Sequence, residues 1–278
     1  MVERYGLAER PVFVGGLFKS GTSLTRVLLG QHPNLFASFE TYWFEPDVSE
    51  HWDRPEGKRL AFLLEFYGVD ERLYEAFKAE KRANPNREFV DIVLEHARLA
   101  SGKPRWVEKT PGNVSHIARI HQTWKDARFV LCTRDFRDTF ASWKARRGNT
   151  LEEFLAACHR AYDPLADRLG GDDPGFTAID YSELIEDTES AMRRVLAYIG
   201  EAWDSRCAEI DLDSTRAERS LVHQVTGRDN LTLQSLAKPI FRSSLGQWRE
   251  IITADEAATI ERDFATIYAV MGERWQQT

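Results

Sequence analysis

The chain is short of sulfur, of positive charge and of long apolar runs, and each shortage removes a class of protein. Cys132, Cys158 and Cys207 are the only cysteines in 278 residues. Odd in number and widely spaced, they offer neither a disulfide framework nor zinc-ligand spacing. They fit a reducing cytosol, so a cytoplasmic protein is expected. Histidines 51, 96, 116, 121, 159 and 223 show no ligand spacing either, and no metal is expected. Lysine and arginine number 37 against 44 acids, a net charge of −7. A nucleic-acid binder would carry a basic excess, although net charge does not forbid one basic pocket for a small anion. No apolar run approaches the roughly 20 residues of a membrane span. The opening stretch, MVERYGLAERPVFVGG, is too polar for a secretory signal. No repeat or low-complexity segment is visible.

What is present describes a packed globular chain. Hydrophobic residues make up 42% and charged residues 29%, which is enough for a core and too apolar for disorder. The length suits one large domain, taken here as residues 1–278. Short apolar runs read as strands at PVFVGG, NLFAS, RWVEKTP, ARFVLCTRD and GFTAIDYSEL. Helical spacing follows most of them. The order strand, helix, strand predicts an α/β protein: three layers, α/β/α, around a central parallel sheet. Residues 45–101 read as a helical insertion, broken at Asn84-Pro85-Asn86. Gly200 reads as a helix C-cap and Thr253 as an N-cap. Residues 216–250 are polar with few periodic apolar positions. They read as a long late loop, a kind of segment that is usually functional.

The informative stretch is PVFVGGLFKSGTSLTRVLLGQHP, residues 11–33. Strand, glycine-rich turn and helix are the parts of a phosphate-binding loop. In a nucleoside-triphosphate loop a lysine directly follows the second glycine and meets the β- and γ-phosphates. Thr22 occupies that position here, and the lysine is Lys19, inside the loop. Backbone N–H groups at the helix start still suit an anion, and Thr22 and Ser23 add hydroxyl donors. The loop is built for a phosphate but poorly for a magnesium triphosphate.

At this point the sequence resembles the sulfotransferase superfamily, whose K/R-S-G-T-T loop corresponds to Lys19-Ser20-Gly21-Thr22-Ser23. The resemblance implies that the loop cradles the 5′-phosphosulfate of 3′-phosphoadenosine 5′-phosphosulfate (PAPS), a donor that needs no metal. The family's strand, R-D-x-R and later serine correspond to FVLCTRDFRDTFASW, residues 129–143. This implies that Arg134 and Ser142 bind the 3′-phosphate. Eight helical residues rise about 12 Å, so both reach one phosphate only if it lies beside the helix. Read without the resemblance, Arg134 and Arg137 are equally ion-pair partners for Asp135 and Asp138. FRSSLGQWRE, residues 241–250, resembles more loosely the late loop that closes over the 3′-phosphate, and implies roles for Arg242 and Ser243. Tyr181 matches a strand-end tyrosine near the adenine, or is simply a half-buried structural residue.

The resemblance also locates chemistry. The histidine of the phenol and steroid enzymes is absent after Lys109-Thr110, where Pro111 stands. The match is therefore nearer to the tyrosylprotein, carbohydrate and bacterial types, which use a glutamate base. Their register lands on Glu40, with Glu45 as fallback. Phe39, Tyr42, Trp43 and Phe44 are expected to raise the Glu40 pKa by desolvation. Lys109 and Lys19 are implied to stabilise the transferring group and leaving phosphate. The acceptor is expected to be a hydroxyl on a small molecule, peptide or sugar. Two rivals remain at this level. One is a P-loop kinase using Asp135 as a magnesium acid, and the other is a nucleotide-binding module without activity.

Overall fold

A computed structural model of the protein describes residues 10–53, 58–169, 175–236 and 245–271. Five strands form one sheet: β1 (Val12–Gly16), β2 (Leu35–Ala37), β3 (Arg105–Lys109), β4 (Arg128–Thr133) and β5 (Phe176–Asp180). The order is β2-β3-β1-β4-β5, and every neighbouring pair is parallel. Parallel strands bury both faces, which explains the near-continuous apolar runs. Val12, Val14, Val107, Val130 and Ile179 face one core layer, with Leu24, Leu28 and Leu29 of helix Thr22–Gly30 and Met192, Val195 and Leu196 of helix Thr188–Ile199. Phe13, Trp106, Phe129 and Leu131 face the other, packed with side chains from helices Phe89–Ala100, Phe136–Arg147, Leu151–Tyr162 and Ala254–Asp263. The expected three-layer α/β/α arrangement is present.

The first strand lies between β3 and β4, so the chain leaves it in one direction and later returns on the other side. The carboxyl ends of β1, β3 and β4 therefore stand side by side at a topological switch point, where such sheets bind ligands. The glycine-rich loop after β1, Lys109 and Arg134 sit at or just beyond those three ends.

Local signals largely behave as read. Gly200 ends its helix at φ 80°. Thr253 and Glu256 form a reciprocal cap. The insertion contains helices Lys58–Phe66, Glu71–Ala83 and Phe89–Ala100. Three readings need correction. The stretch 216–250 is not one long loop, because helix Leu212–Thr226 runs into it and Leu231–Leu236 and Trp248–Ile251 are also helical. The long helix starts at Asp211, whose carboxylate accepts from Asp213 N and Ser214 N, and stops at Gly227. Only Thr215 and Val222 are buried along it, so it has almost no apolar stripe to recognise. Tyr181 does not end a strand but opens helix Tyr181–Glu186, capped by Asp180. The last amphipathic segment is two helices, Ala254–Asp263 and Ala265–Met271. Among the described residues no helix is long and apolar enough to cross a membrane.

Candidate active site

The loop after β1 is tightly wound. Ser20 donates to the Leu17 carbonyl from its N–H at 3.0 Å and its hydroxyl at 2.7 Å. Lys19 adopts φ 76° and Gly21 φ 97°. A side chain at Gly21 would be strained, and its Cβ would sit 2.8 Å from the Tyr181 ring, so only glycine lets loop and ring approach this closely. Helix Thr22–Gly30 begins there with no side-chain cap and no acid in its first turn. Its N-terminal dipole and N–H groups are left for an external anion.

A cavity of about 290 Å³ opens in front of this helix end, lined by Lys19, Gly21, Thr22, Ser23, Glu40, Arg134, Ser142 and Tyr181 among others. Eight of the residues singled out from the sequence therefore share one wall. Ser20 is the exception in the loop, its hydroxyl spent on Leu17. Arg242 and Ser243 lie outside the described residues. Glu45 does not line this cavity or its neighbour; it starts the short helix Pro46–Ser49 instead.

The R-D-x-R-D segment divides its labour. Arg134 precedes its helix, which starts at Phe136 behind the Asp135 cap. It donates to the Lys19 carbonyl at 3.1 Å and lies 4.5 Å from the Tyr181 ring. This position, before the helix rather than on it, lets Arg134 and Ser142 line the same cavity. Arg137 instead forms a buried pair with Asp135 and stacks 4.3 Å from the Trp248 ring. The ion-pair alternative thus holds closely for Arg137, while Arg134 lies 4.0 Å from the Asp138 carboxylate and still lines the cavity. Asp135 also accepts from the Tyr268 hydroxyl at 2.9 Å, which spends the acid that a kinase reading would assign to magnesium. Asp138 accepts from Gly246 N at 2.9 Å and Trp248 N at 3.0 Å. It anchors the Gly-Gln-Trp piece of the late segment, a role sequence reading missed.

Glu40 and Lys109 meet although 69 residues separate them. The Lys109 ammonium donates to Glu40 Oε1 and, at 3.0 Å, to Ser23 Oγ. The Tyr42 hydroxyl donates to Glu40 Oε2. Their side chains are 4% and 17% exposed for Lys109 and Glu40, so this is an interior ion pair. Burial alone pushes the Glu40 carboxyl up, but the Lys109 charge and hydrogen bond, the Tyr42 hydroxyl and the Arg26 charge together hold it below its ordinary value. The expected upward shift is therefore overturned for the resting protein. The desolvation is real, but a cation from another strand outweighs it.

Behind Glu40 lies a second cavity of about 310 Å³, lined by Arg26, Phe39, Tyr42 and Lys109 and sharing Phe18, Lys19, Ser23, Glu40, Arg146 and Thr232 with the first. Glu40 thus stands on the wall common to both. Arg26 and Arg146 were missed. Arg26 is buried and takes a two-pronged grip on Glu218 at 2.7 and 2.6 Å. Arg146 follows Ser142 by four residues, on the same helical face, and that spacing was the available signal.

Comparison with known proteins shows the family and the fold. The sequence model described as Sulfotransferase family matches residues 11–205. The chain is 23% identical to protein-tyrosine sulfotransferase 1 of Danio rerio over 269 residues, covering 92% of this chain and 69% of that protein. It is 25% identical to an uncharacterized protein of Aquifex aeolicus, covering 87% of this chain but only 31% of the larger protein. In three dimensions it is similar to the sulfotransferase domain of the Synechococcus olefin synthase, with TM-score 0.61, 15% identity and coverage of 95% and 98%. A sulfotransferase of Mycobacterium avium superimposes with TM-score 0.52 and 17% identity over 95% of this chain and 77% of that one.

Proposed function

The chain belongs to the sulfotransferase family, and from that premise we propose that it moves a sulfuryl group from PAPS to an acceptor hydroxyl. One observation carries the reading: a phosphate loop lacking the triphosphate lysine opens onto a carboxylate–ammonium pair at the junction of two cavities. The first cavity is assigned to the donor. The helix N-terminus, Lys19, Thr22 and Ser23 receive the 5′-phosphosulfate, Arg134 and Ser142 the 3′-phosphate, and Tyr181 the adenine side. Arg242 and Ser243 complete that set by resemblance alone. The second cavity is assigned to the acceptor.

In the transfer, the acceptor oxygen attacks sulfur, and the bond from sulfur to the phosphate oxygen breaks with its electron pair staying on the phosphate. Glu40 takes the acceptor proton. Lys109 and Lys19 stand where negative charge grows on the sulfuryl oxygens and leaving phosphate, the placement that gives electrostatic catalysis its largest effect. The protein is acidic overall, yet Lys19, Arg26, Lys109 and Arg146 gather here, and the local field governs an anionic donor.

Phe18, Phe39 and Tyr42 give the acceptor side an aromatic wall. The insertion 45–101 supports it: Phe62 and Phe66 lie 5.3 and 5.4 Å from the Phe39 ring, and Arg59 lies 4.1 Å from that of Tyr42. With relatives named protein-tyrosine sulfotransferases, a tyrosyl hydroxyl in a peptide is the first acceptor to test, ahead of sugars and aliphatic alcohols. We read 1–278 as one catalytic domain acting in the cytoplasm, where its free, buried cysteines stay reduced.

Calorimetry with 3′-phosphoadenosine 5′-phosphate in the presence of a chelator tests the donor assignment. Binding is expected without metal. Tighter binding of ATP than of this nucleotide would overturn the assignment.

A further inference from the structure

Glu40 is held by two side chains, and only one of them also reaches the helix that follows β1. Lys109 bridges from Glu40 Oε1 to Ser23 Oγ at the start of the phosphate-binding helix. Tyr42 holds Oε2 from the acceptor side. On the donor reading above, an anionic phosphosulfate in front of Ser23 competes with Glu40 for the same ammonium. Once Lys109 turns to the donor, the hydroxyl of Tyr42 is the described contact still on the carboxylate.

The backbone around Tyr42 is built to keep that hydroxyl in place. Tyr42 has φ 52°, a left-handed conformation that is unusual and strained for a residue with a bulky side chain. It persists because the surroundings over-determine it. The Tyr42 N–H donates to Thr110 Oγ1 at 3.1 Å, and the Tyr42 carbonyl accepts from Glu45 N at 3.0 Å. The preceding Thr41 is fixed by the buried carboxylate of Glu108, which accepts from Thr41 N at 3.2 Å, from its hydroxyl at 2.8 Å and from Thr110 Oγ1 at 2.7 Å. Arg59 covers the ring from the helical insertion. A left-handed turn of this kind reverses the direction of the chain, so residue 42 looks back at residue 40.

We propose that Tyr42 is the positioning residue of the general base, fixing Glu40 Oε2 so that Oε1, vacated by Lys109, faces the acceptor hydroxyl and receives its proton. The assignment rests on Glu40 being the base. It gives a use to a tyrosine at a backbone position that glycine would relieve, and to the arginine that the insertion sets against its ring. It also separates two effects of one carboxylate: Lys109 keeps it ionised in the resting protein, and Tyr42 keeps it aimed during transfer.

The test is Tyr42→Phe, which keeps the ring beneath Arg59 and the backbone contacts while deleting one hydroxyl. The expected result is a fall in kcat of about tenfold or more, since small misplacement of a reacting group is costly. Donor affinity should be unchanged. The acid limb of the pH–rate profile should move to higher pH, because a donor that stabilises the ionised carboxylate has been removed. Among the described residues, the other charged groups lining the cavities around Glu40 are Lys19 of the phosphate loop, Arg26 of the first helix, Lys109 of β3, Arg134 after β4, Arg146 of helix Phe136–Arg147 and Asp229 before helix Leu231–Leu236. Asp229 is the other carboxylate lining them among the described residues, so an acid limb that survives Asp229→Asn belongs to Glu40. Replacing Tyr42 by a fluorotyrosine, a stronger donor, should restore kcat and move the limb to lower pH. A Tyr42→Phe protein that changed only acceptor KM, with limb and kcat intact, would reduce Tyr42 to a wall residue and overturn the proposal. Carbon-13 carboxyl titration of Glu40, identified by its loss in Glu40→Gln, keeps the test independent of turnover. An upward shift in Tyr42→Phe supports the contact even if no acceptor is found, and an unmoved titration refutes it. Full turnover by Glu40→Gln would instead refute the base assignment.

Discussion

Lys109→Met should destabilise the protein in a way that depends on pH and on Glu40. The pair it breaks is almost fully enclosed, at 4% and 17% side-chain exposure. Removing one partner of a buried ion pair typically costs about 3–5 kcal/mol. Glu40 keeps the Tyr42 hydroxyl and the charge of Arg26, which argues for the lower end, about 3 kcal/mol. For a chain of this size that is a Tm decrease of roughly 6 °C or more. The sign with pH follows from the direction of the Glu40 shift. In the wild type its pKa is depressed, so its contribution is present above the unfolded value and is lost as pH falls through the folded one. Without Lys109, burial dominates and raises that pKa, so protonation relieves the variant. The stability gap should therefore be widest near neutrality and narrow on acidification. Glu40→Gln in the Lys109→Met background should recover part of the loss, a non-additivity of about 1–3 kcal/mol expected for contacting residues. Urea denaturation of the four proteins of the cycle across pH supplies the numbers. A gap that is flat with pH, or two losses that simply add, would refute the interior pair.

Further outcomes concern the reaction. Glu40→Gln should bind the donor product normally and lose about 10²–10⁴-fold in kcat on an aliphatic alcohol, with a smaller loss on acidic phenols, whose proton leaves readily; steady-state rates on matched acceptors check this. Arg134→Ala should weaken 3′-phosphoadenosine 5′-phosphate binding by roughly 10–150-fold, the equivalent of about 1.5–3 kcal/mol for a charged hydrogen bond, with little change in kcat at saturating donor; calorimetry and saturation kinetics separate the two. Lys19→Ala should lower kcat itself, and an effect confined to acceptor KM would make it a positioning side chain.

The loop assigned to the donor was legible because its pattern is local. Glycines, a lysine and hydroxyls within residues 16–23 must share one turn, and a strand before and a helix after define what that turn can do. Arg134 and Ser142 were singled out by resemblance to the family's R-D-x-R and later serine, and the structure sets both on the first cavity. The state of Glu40 was not legible. Its aromatic neighbours in sequence suggested desolvation, but the decisive partner arrives from β3, and the parallel pairing of β3 with β2, the strand that leads into Glu40, brings it there. Helix Leu212–Thr226 was missed because it buries so little, with polar caps at its ends and no stripe between them. It still shapes the site, since Glu218 on it grips Arg26. Asp138 was visible only as an ion-pair candidate; it does lie 4.0 Å from Arg134, but its hydrogen-bond partners are backbone N–H groups 108 and 110 residues away.

The central claim is metal-free sulfuryl transfer from PAPS at the Glu40–Lys109 junction. Its most direct test is PAPS labelled at sulfur, incubated with the protein in chelator and a panel of tyrosyl peptides, sugars and aliphatic alcohols. Label is expected on an acceptor hydroxyl, with one 3′-phosphoadenosine 5′-phosphate released per transfer, and near-complete loss of transfer in Glu40→Gln. Label that stays on the nucleotide with every acceptor, while the nucleotide binds, would contradict it and leave a binding module in its place.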